Sequence, residues 1–341
     1  MDDAELLAVL RPVLASELAP DEQADKLAIV GRPNRNRSSL YFVGVEGRGR
    51  VPRWVLKIPT PERLQHDLRS PLGAAEQFHT VRHLYDHLVQ DGIVTTPRPI
   101  AHLAVIDGWV MEFVTGSTVA DVARSTGLVC PAALVRAVEA GAMALTQLHL
   151  MEPERLIELD LAEAEQRAIA GARGQLAAAG LSVKPSWFTA VARPGTRVLG
   201  RQVLLHGDWV PENVMLSSSG VVCLDPDLSS IGWAEHDVAR FVLMLFDAPL
   251  FVLAGDAPYF RPLRRRATAA FLSAYYEPGA QPSALLRPLM LAAVAARWRA
   301  RHEDIARREA SLRRLRRETL RRHFSSLLDE VNDPGWPLSY R

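Results

Sequence analysis

Alternating apolar and polar residues in the first third of the chain predict two helices and a small set of strands. Apolar residues at helical spacing predict an amphipathic helix over residues 2–20. The β-rich runs 40–45 and 51–58 are separated by the sequence EGRGR, which predicts a hairpin. A second helix is predicted over residues 73–90, and two further strands flank an Asp-Gly turn. This order is typical of a small lobe that mixes strands and helices.

The pattern becomes mainly helical after Gly116. Apolar spacing predicts helices over residues 131–150 and 153–180, followed by short strands in RQVLLHGDW, NVMLSS and GVVCLDPD. Beyond Glu235 the chain is predicted to be mostly helical, over residues 236–247, 261–276, 283–299 and 301–330. We therefore predict an α+β protein of two lobes. Residues 1–115 would form a small mixed N-lobe with an antiparallel sheet, and residues 116–341 a larger, mostly helical C-lobe.

Length and composition narrow the class of protein. The chain has 341 residues and 48% apolar content, enough for two cores, since single cores stop growing at about 250–300 residues. Cys130 and Cys223 are the two cysteines, too few for a disulfide framework or a four-thiolate zinc site. The acidic start lacks the basic segment of a signal peptide. Asp247 and Pro249 interrupt the longest apolar run, which is too short to span a bilayer. We expect a cytoplasmic protein without a membrane partner.

Charge is nearly balanced over the whole chain but unevenly distributed. The net charge is +1, whereas residues 261–341 hold 17 Arg against 8 Asp or Glu. This basic segment is either the solvated face of long helices or a sign that a bound small molecule is neutral or anionic. The near-neutral net charge of the whole chain is a weak electrostatic signal for nucleic-acid binding, which argues against a nucleic-acid partner. The chain has only three lysines, so each is informative, because lysine supplies a compact point charge.

Polar residues interrupt two strand-like pieces in the sequence LLHGDWVPENVML, residues 204–216. Phosphoryl transfer needs a carboxylate that orients the attacking hydroxyl and oxygen ligands that hold Mg²⁺ against the phosphates. Asp208 and Asn213 lie five residues apart, and Asp225 follows twelve residues after Asn213 at the end of an apolar strand. A hairpin between the strands would bring Asn213 and Asp225 together and predicts a magnesium site beside Asp208. Taken singly, an Asp or Asn in a loop is more often a turn former or a helix cap than a catalytic residue, so the prediction depends on the ordered set.

The order of these residues is that of the kinase catalytic loop, His-x-Asp-x4-Asn, followed by a second aspartate. HGDWVPENVML followed by LDPDLSSIGWAEHDVAR resembles the aminoglycoside phosphotransferase family of small-molecule kinases, over about residues 31–246. That family reads HGD-x-x-P-x-N, then an aspartate strand, then Asp-(Leu/Val)-Ala about a dozen residues on. Here Asp225 and Asp237 stand twelve residues apart. The resemblance implies a bilobal protein-kinase-like fold, ATP and Mg²⁺ as cofactors, and a small-molecule hydroxyl as acceptor.

The resemblance also implies a role for each residue of the motif. Asp208 would be the catalytic base or would orient the hydroxyl, and Asn213 and Asp225 would be magnesium ligands. Asp237 would brace the catalytic loop, and capping of the following helix is a compatible alternative. His206 would orient the backbone around Asp208.

The N-lobe contains candidates for nucleotide contacts. Lys57 lies on an otherwise apolar strand and resembles the phosphate-pairing lysine of kinases; a strand-end lysine that reaches solvent is the alternative. Glu76 is the candidate partner of Lys57, although it lies roughly opposite the apolar face of its predicted helix. Ser38 and Ser39 follow residues 34–37 in a turn that could cover phosphates, and a solvated basic turn is the alternative.

Two further segments resemble the family. In VMEFVTGSTVAD, which resembles the inter-lobe linker, backbone groups from Glu112 to Val114 would face an adenine edge. His149, in LTQLHLME, is interpreted as a packed or capping residue rather than a catalyst.

The acceptor is predicted only by class. Asp227, Trp233, Glu235 and His236 follow Asp225 closely and are candidates for contacting it. The basic C-terminal segment favours a neutral, sugar-like acceptor over an aminoglycoside. A catalytically silent nucleotide-binding scaffold of the same fold is the main alternative, although a complete set of chemical groups argues against it. We expect a monomer or a homodimer.

Overall fold

A computed structural model of the chain describes most of its residues. The described residues are 1–33, 38–47, 49, 51–59, 73–88, 94–125, 130–181, 184–189, 192–226, 230–247, 252, 260–276, 282–306, 313–333 and 336. The chain divides into two compact units. Unit 1 comprises Met1–Gly116 and Ser217–Ser229, and unit 2 comprises Ser117–Leu216 and Ser230–Arg341. Residues 217–229, which the sequence-based division assigns to the C-lobe, belong to unit 1 by their contacts.

Unit 1 is built mainly from strands. Its helices are α1 (Asp3–Leu14) and α2 (Ala74–Leu88). Its strands are β1 (Leu27–Gly31), β2 (Ser38–Val45), β3 (Trp54–Pro59), β4 (Val94–Thr95), β5 (Pro99–Leu103), β6 (Gly108–Glu112) and, from later in the chain, β11 (Gly220–Cys223).

Five of these strands form an antiparallel sheet in the order β1-β2-β3-β6-β5. Helix α1 presents Leu6, Leu10 and Leu14, all fully buried, to the core formed with this sheet. Their spacing of four residues puts them on one face of the helix. The sheet places Lys57 between Leu40 on β2 and Trp109 on β6.

The returning segment joins unit 1 through strand pairing. Strand β11 runs parallel to β4, with Val221 opposite Val94 and Val222 opposite Thr95. Residues 224–226 follow β11 directly, so this pairing sets where Asp225 lies within unit 1.

Unit 2 is mostly helical. Its helices are α3 (Val119–Ser125), α4 (Pro131–His149), α5 (Leu161–Ala178), α6 (Glu235–Phe246), α7 (Phe260–Tyr275), α8 (Leu286–Ala306) and α9 (Arg313–Val331). Its strands are β7 (Ser117–Thr118), β8 (Arg155–Asp160), β9 (Arg197–Leu204), β10 (Val214–Ser217) and β12 (Ile231–Trp233).

The helices of unit 2 pack around aromatic side chains. Phe241 of α6 stacks on Phe271 of α7, with ring centroids 4.4 Å apart. Helix α4 approaches Phe241 closely at Gly141, where a Cβ atom would lie 3.3 Å from the ring. Strands β12, β9 and β8 form a separate antiparallel sheet in that order. This framework positions α6 beside the segment that follows β9.

The fold class predicted from the sequence is confirmed: the chain is α+β, with an antiparallel sheet in its N-terminal region and helices in its C-terminal region. Several element boundaries were wrong. The helix predicted over residues 153–180 is strand β8 followed by α5, because residues 155–160 pair with β9. Strands β1, β4, β7 and β12 were not predicted. The predicted helix 301–330 contains residues 307–312, which lie outside the described residues.

Within the part of the chain that the structure describes, no helix combines the length and the apolar character needed to cross a membrane.

Candidate active site

The segment between β9 and β10, residues 205–213, contains the predicted catalytic motif and is anchored by two buried rings. His206 and Trp209 are fully buried, with ring centroids 5.0 Å apart. Gly207 between them has φ +80°, a left-handed conformation that glycine adopts without steric cost. A short 3-10 turn, Pro211–Asn213, ends the segment. Asp208 therefore extends from a loop that is fixed on both sides.

Asp237 on α6 holds the backbone of this loop. Its carboxylate accepts the backbone N–H of His206 at 2.7 Å and that of Gly207 at 3.1 Å. Asp237 is 2% exposed, so these hydrogen bonds satisfy a buried carboxylate. The cap position of α6 is Ala234, which makes no side-chain cap hydrogen bond. The bracing interpretation of Asp237 is therefore the one that the structure supports.

A series of hydrogen-bonded side chains continues from Asp237 through the buried residues His149 and Tyr275 to Arg201. Nε2 of His149 lies 3.2 Å from Oδ2 of Asp237, and Nδ1 of His149 lies 2.7 Å from the hydroxyl of Tyr275. Arg201 donates to the same hydroxyl. A neutral imidazole has one donor and one acceptor nitrogen, which fits Nε2–H donating to Asp237 and Nδ1 accepting from Tyr275. His149 is thus a packed residue, as the sequence interpretation has it.

The pKa values of His149, Asp237 and Tyr275 reflect their burial and their hydrogen bonds. Burial lowers the pKa of His149, and the hydrogen bond to Asp237 opposes this only partly. Burial alone would raise the pKa of Asp237, but the hydrogen bonds from His149 and the loop backbone bring it below its ordinary value. Burial raises the pKa of Tyr275 despite the neighbouring Arg201. At neutral pH the carboxylate of Asp237 is therefore ionised and His149 is neutral.

Both carboxylate oxygens of Asp208 have partners in unit 2. Nδ2 of Asn213 donates to Oδ2 of Asp208 at 3.1 Å and to its backbone carbonyl at 3.0 Å. Arg240 of α6 forms an ion pair with Oδ1 of Asp208. Because the amide nitrogen of Asn213 is committed to Asp208, its amide oxygen is the atom that remains for a metal ion.

In unit 1 the structure brings Lys57 and Asp225 together. Nζ of Lys57 lies 2.8 Å from Oδ1 of Asp225 and 5.7 Å from the centre of the Trp109 ring. Lys57 is 9% exposed, whereas the Asp225 side chain is 53% exposed. Asp225 has φ 48°, an uncommon left-handed conformation for a residue other than glycine. The alternative interpretation, in which Lys57 is a strand-end lysine that reaches solvent, does not fit this degree of burial.

The predicted ion pair between Lys57 and Glu76 is not observed. Lys57 pairs with Asp225 instead, and Oε2 of Glu76 accepts the backbone N–H of Gly73 at 3.0 Å at the start of α2. The physical reason is that the N-terminus of α2 offers Glu76 an unsatisfied amide close by. A role for Glu76 at the nucleotide stays a prediction.

The other predicted nucleotide contacts lie along the sheet of unit 1. Ser38 and Ser39 begin β2, opposite Pro59 and Ile58. Residues 34–37 of the predicted phosphate turn lie outside the described residues.

The predicted adenine-facing segment begins at the end of β6. The backbone N–H of Glu112 donates to the backbone carbonyl of Arg98 at 2.9 Å, and that of Phe113 donates to the backbone carbonyl of Arg53 at 2.8 Å. Both groups are thus engaged within unit 1, so the backbone of Val114 is the better candidate for contacting a base.

The described residues among those predicted to contact the acceptor differ in their exposure to solvent. Glu235 is 2% exposed, and burial raises its pKa. Trp233 is half-buried and His236 is exposed, while Asp227 lies outside the described residues. A buried Glu235 does not fit direct contact with an acceptor.

Sequence reasoning missed Arg240, Arg201 and Tyr275. Arg240 had a readable signal, because it follows Asp237 by three residues and such residues share a helix face. Arg201 and Tyr275 lie 74 residues apart, and no local pattern in the sequence predicts their contact.

The donor atoms present are those that Mg²⁺ prefers. Among the described residues, no three or more His, Cys, Asp or Glu side chains come together as a metal site. Mg²⁺ at nucleotide sites is commonly held by one or two protein oxygens together with phosphates and water. The amide oxygen of Asn213 and the half-exposed carboxylate of Asp225 have the right chemistry for that kind of binding.

The sequence matches the model of the phosphotransferase enzyme family over residues 30–281. This match covers more than half of the chain, and the protein belongs to that family. No curated protein sequence matches the chain.

Solved structures similar to this one include kinases and a putative phosphotransferase. Choline kinase from Cryptosporidium parvum Iowa II has a TM-score of 0.51 and 12% identity, covering 98% of each chain. Glucosamine kinase in complex with glucosamine, ADP and inorganic phosphate has a TM-score of 0.53 and 14% identity, covering 96% of this chain and 84% of the other. A putative aminoglycoside phosphotransferase from Ralstonia eutropha JMP134 has a TM-score of 0.50 and 13% identity, covering 95% and 97%. At these identities the likeness shows a shared protein-kinase-like fold.

Proposed function

We propose that this protein is a small-molecule O-kinase that transfers the γ-phosphoryl group of ATP to a hydroxyl, with Mg²⁺ as cofactor. The observation that carries the proposal is the fixed position of Asp208 beside Asn213, in a loop whose backbone is held by Asp237. Membership of the phosphotransferase family supports it. The similar fold of a glucosamine kinase solved with glucosamine and ADP is consistent with it.

The proposed reaction gives each residue a defined task. The acceptor oxygen attacks the γ-phosphorus, the bond from that phosphorus to the β–γ bridging oxygen breaks, and ADP leaves. The carboxylate of Asp208 orients the acceptor hydroxyl and takes its proton. Asn213 and Asp225 would hold Mg²⁺, which neutralises charge on the phosphates when bound. Lys57 would move from Asp225 to the phosphates as the nucleotide binds.

Other residues would hold the nucleotide in place. The backbone of Val114, two residues beyond the end of β6, would face the base, and Ser38 and Ser39 would cover the phosphates. Glu76 at the start of α2 is a further candidate. We also propose a cytoplasmic location for the protein.

We propose a neutral, sugar-like acceptor rather than a polycationic one. The carboxylate of Asp208, which the acceptor must approach, is already paired with the cation of Arg240. A cationic acceptor therefore gains less attraction at Asp208 than it would at an unpaired carboxylate. A panel that offers neutral sugars, amino sugars and aminoglycosides with ATP and Mg²⁺ tests this class. Transfer to aminoglycosides alone would contradict it.

The function is tested by separating turnover from nucleotide binding. Asp208→Asn should reduce kcat about 10²- to 10⁴-fold and leave the ATP dissociation constant within about threefold, because Asp208 acts in the transfer step. Asp225→Ala should instead weaken nucleotide binding measured with Mg²⁺ present. Glu303→Gln is the control, since Glu303 is an exposed acid that pairs with Arg299 on α8.

Two outcomes would contradict the proposal. One is the absence of Mg²⁺-dependent phosphate transfer to every member of the panel, together with intact ATP binding, which would favour a silent nucleotide-binding scaffold. The other is an equal loss of ATP affinity in Asp208→Asn and Asp225→Ala, which would remove the proposed division of tasks.

A further inference from the structure

Helix α6 contacts the catalytic loop with two side chains of opposite charge. Asp237 accepts the backbone N–H groups of His206 and Gly207, while Arg240 pairs with the side chain of Asp208. Asp237 and Arg240 are three residues apart, so they extend from one face of the helix. The same helix face therefore fixes both the backbone of the loop and its acidic side chain.

The two oxygens of Asp208 receive donors from different elements. Asn213 donates to Oδ2 from the end of the loop, and Arg240 donates to Oδ1 from α6. The terminal torsion of an aspartate is broad and is not set by a sharp rotamer preference. Donors on both oxygens are consequently what fixes the plane of this carboxylate.

The pair is open enough for a substrate to reach it. The Asp208 side chain is 28% exposed and the Arg240 side chain 44% exposed. Solvent weakens the charge attraction of such a pair, so orientation is the larger part of what Arg240 can contribute. A guanidinium suits this task because its planar fork holds its N–H groups in fixed directions, and one of them, from Nη2, donates to Oδ1 of Asp208.

We propose that Arg240 is a positioning residue for phosphoryl transfer: it fixes the carboxylate plane of Asp208 so that one oxygen faces the acceptor hydroxyl. This role rests on the proposed function. It predicts that Arg240 contributes to the transfer step and little to nucleotide binding, because its partner Asp208 acts in transfer.

The experiment compares Arg240→Ala, Arg240→Lys and wild type with saturating ATP and the best acceptor of the panel. Arg240→Ala should lower kcat about 10- to 100-fold, the size expected when a reacting group is misplaced by about 1 Å. KM for ATP should stay within about threefold. Arg240→Lys keeps the charge without the fork and should recover only part of kcat.

Chemical rescue separates positioning from simple support of the fold. Guanidinium chloride at millimolar concentration should raise kcat of Arg240→Ala at least about fivefold, whereas sodium chloride at equal ionic strength should not. The matched control is Arg299→Ala, because the Arg299 side chain is 45% exposed and pairs with Glu303 on α8 at 3.3 Å. This variant should retain wild-type kcat and show no response to guanidinium.

The outcomes distinguish the two proposals. The positioning role is overturned if Arg240→Ala retains the wild-type kcat. It is also overturned if Arg240→Ala loses kcat and ATP affinity equally and guanidinium does not restore kcat. In both cases phosphate transfer by the wild type would still support the proposed enzyme. Absence of transfer by the wild type overturns the proposed function and this role with it.

Discussion

The backbone N–H of His206 donates to Oδ2 of Asp237 at 2.7 Å, which ties the catalytic loop to a helix that begins almost thirty residues later. A second N–H, from Gly207, reaches the other oxygen of the same carboxylate. Because Asp237 is buried, these contacts are shielded from water, and breaking them leaves polar groups without partners. Three predictions rest on this relationship and the contacts around it, and a fourth concerns the two cysteines.

Asp237→Asn should both destabilise the protein and reduce its turnover. The amide that replaces the carboxylate presents an NH₂ group to at least one donor, and a buried polar group that loses its partner costs about 1–3 kcal/mol. The free energy of unfolding in urea should fall by about 2–3 kcal/mol, with a loss of kcat at temperatures where the variant is folded. Asp86→Asn on α2, an exposed acid paired with Arg82, should change stability by less than about 0.5 kcal/mol. Equal effects of the two substitutions would contradict the brace.

His149 should make the protein less stable as the pH falls below about 6.5, the ordinary pKa of histidine. Burial lowers the pKa of His149 in the folded state, so below pH 6.5 the unfolded chain binds a proton that the folded protein does not. Stability from this residue is therefore complete above pH 6.5 and is lost on acidification, by up to about 1.4 kcal/mol per pH unit. His149→Gln, which cannot titrate, should lose less stability between pH 7.5 and 5.5 in urea unfolding. Parallel pH dependence in the two proteins would contradict this assignment.

Tyr275→Phe should destabilise the protein by about 1–2 kcal/mol, because it removes the hydroxyl shared by His149 and Arg201. Tyr41→Phe on β2 is a matched control and should change thermal or urea stability by less than about 0.5 kcal/mol. In a double-mutant cycle with His149→Gln, the coupling energy should exceed about 0.5 kcal/mol, as expected for residues in one hydrogen-bond network. Additive effects would place Tyr275 outside this network.

The two cysteines should differ sharply in reactivity. Cys223 is fully buried on β11, and burial raises its pKa to about 12, whereas Cys130 is exposed. The thiolate is the reactive form of cysteine, so a thiol reagent should titrate one group in the native protein and two after denaturation. Cys130→Ser should abolish the fast native reaction. Two fast native thiols would show that β11 is not protected as the structure has it.

Sequence patterns predicted the parts of this fold that depend on local periodicity. The helix predicted over residues 131–150 corresponds to α4 and that over 73–90 to α2. The pattern failed for residues 155–160, where Leu156 and Ile157 are exposed and the strand forms only through pairing with β9. Such a strand has little alternation of apolar and polar residues from which to predict it. The partner strand that stabilises it lies some forty residues away in the sequence.

Contacts in the site could be predicted between residues that are close in the sequence. Contacts that form only through tertiary packing could not. The motif around Asp208 and Asn213 could be predicted from their spacing, and the structure places their side chains within hydrogen-bond distance. The partner of Lys57 could not, because both Glu76 and Asp225 carry the required charge and only the sheet decides which one lies near. The contact between Arg201 and Tyr275 joins a strand to a helix end, and periodicity contains no information about such a pair.

The place of strand β11 in unit 1 has a consequence for the order in which the protein can mature on the ribosome. When residue 116 has been synthesised, β4 still lacks its parallel partner, and the ammonium of Lys57 lacks the carboxylate of Asp225. A cation in so enclosed a position is costly without a counter-charge. More than one hundred further residues must therefore be synthesised before β4 can pair with β11 and Lys57 with Asp225. A gene fragment ending at residue 116 should yield an incomplete domain.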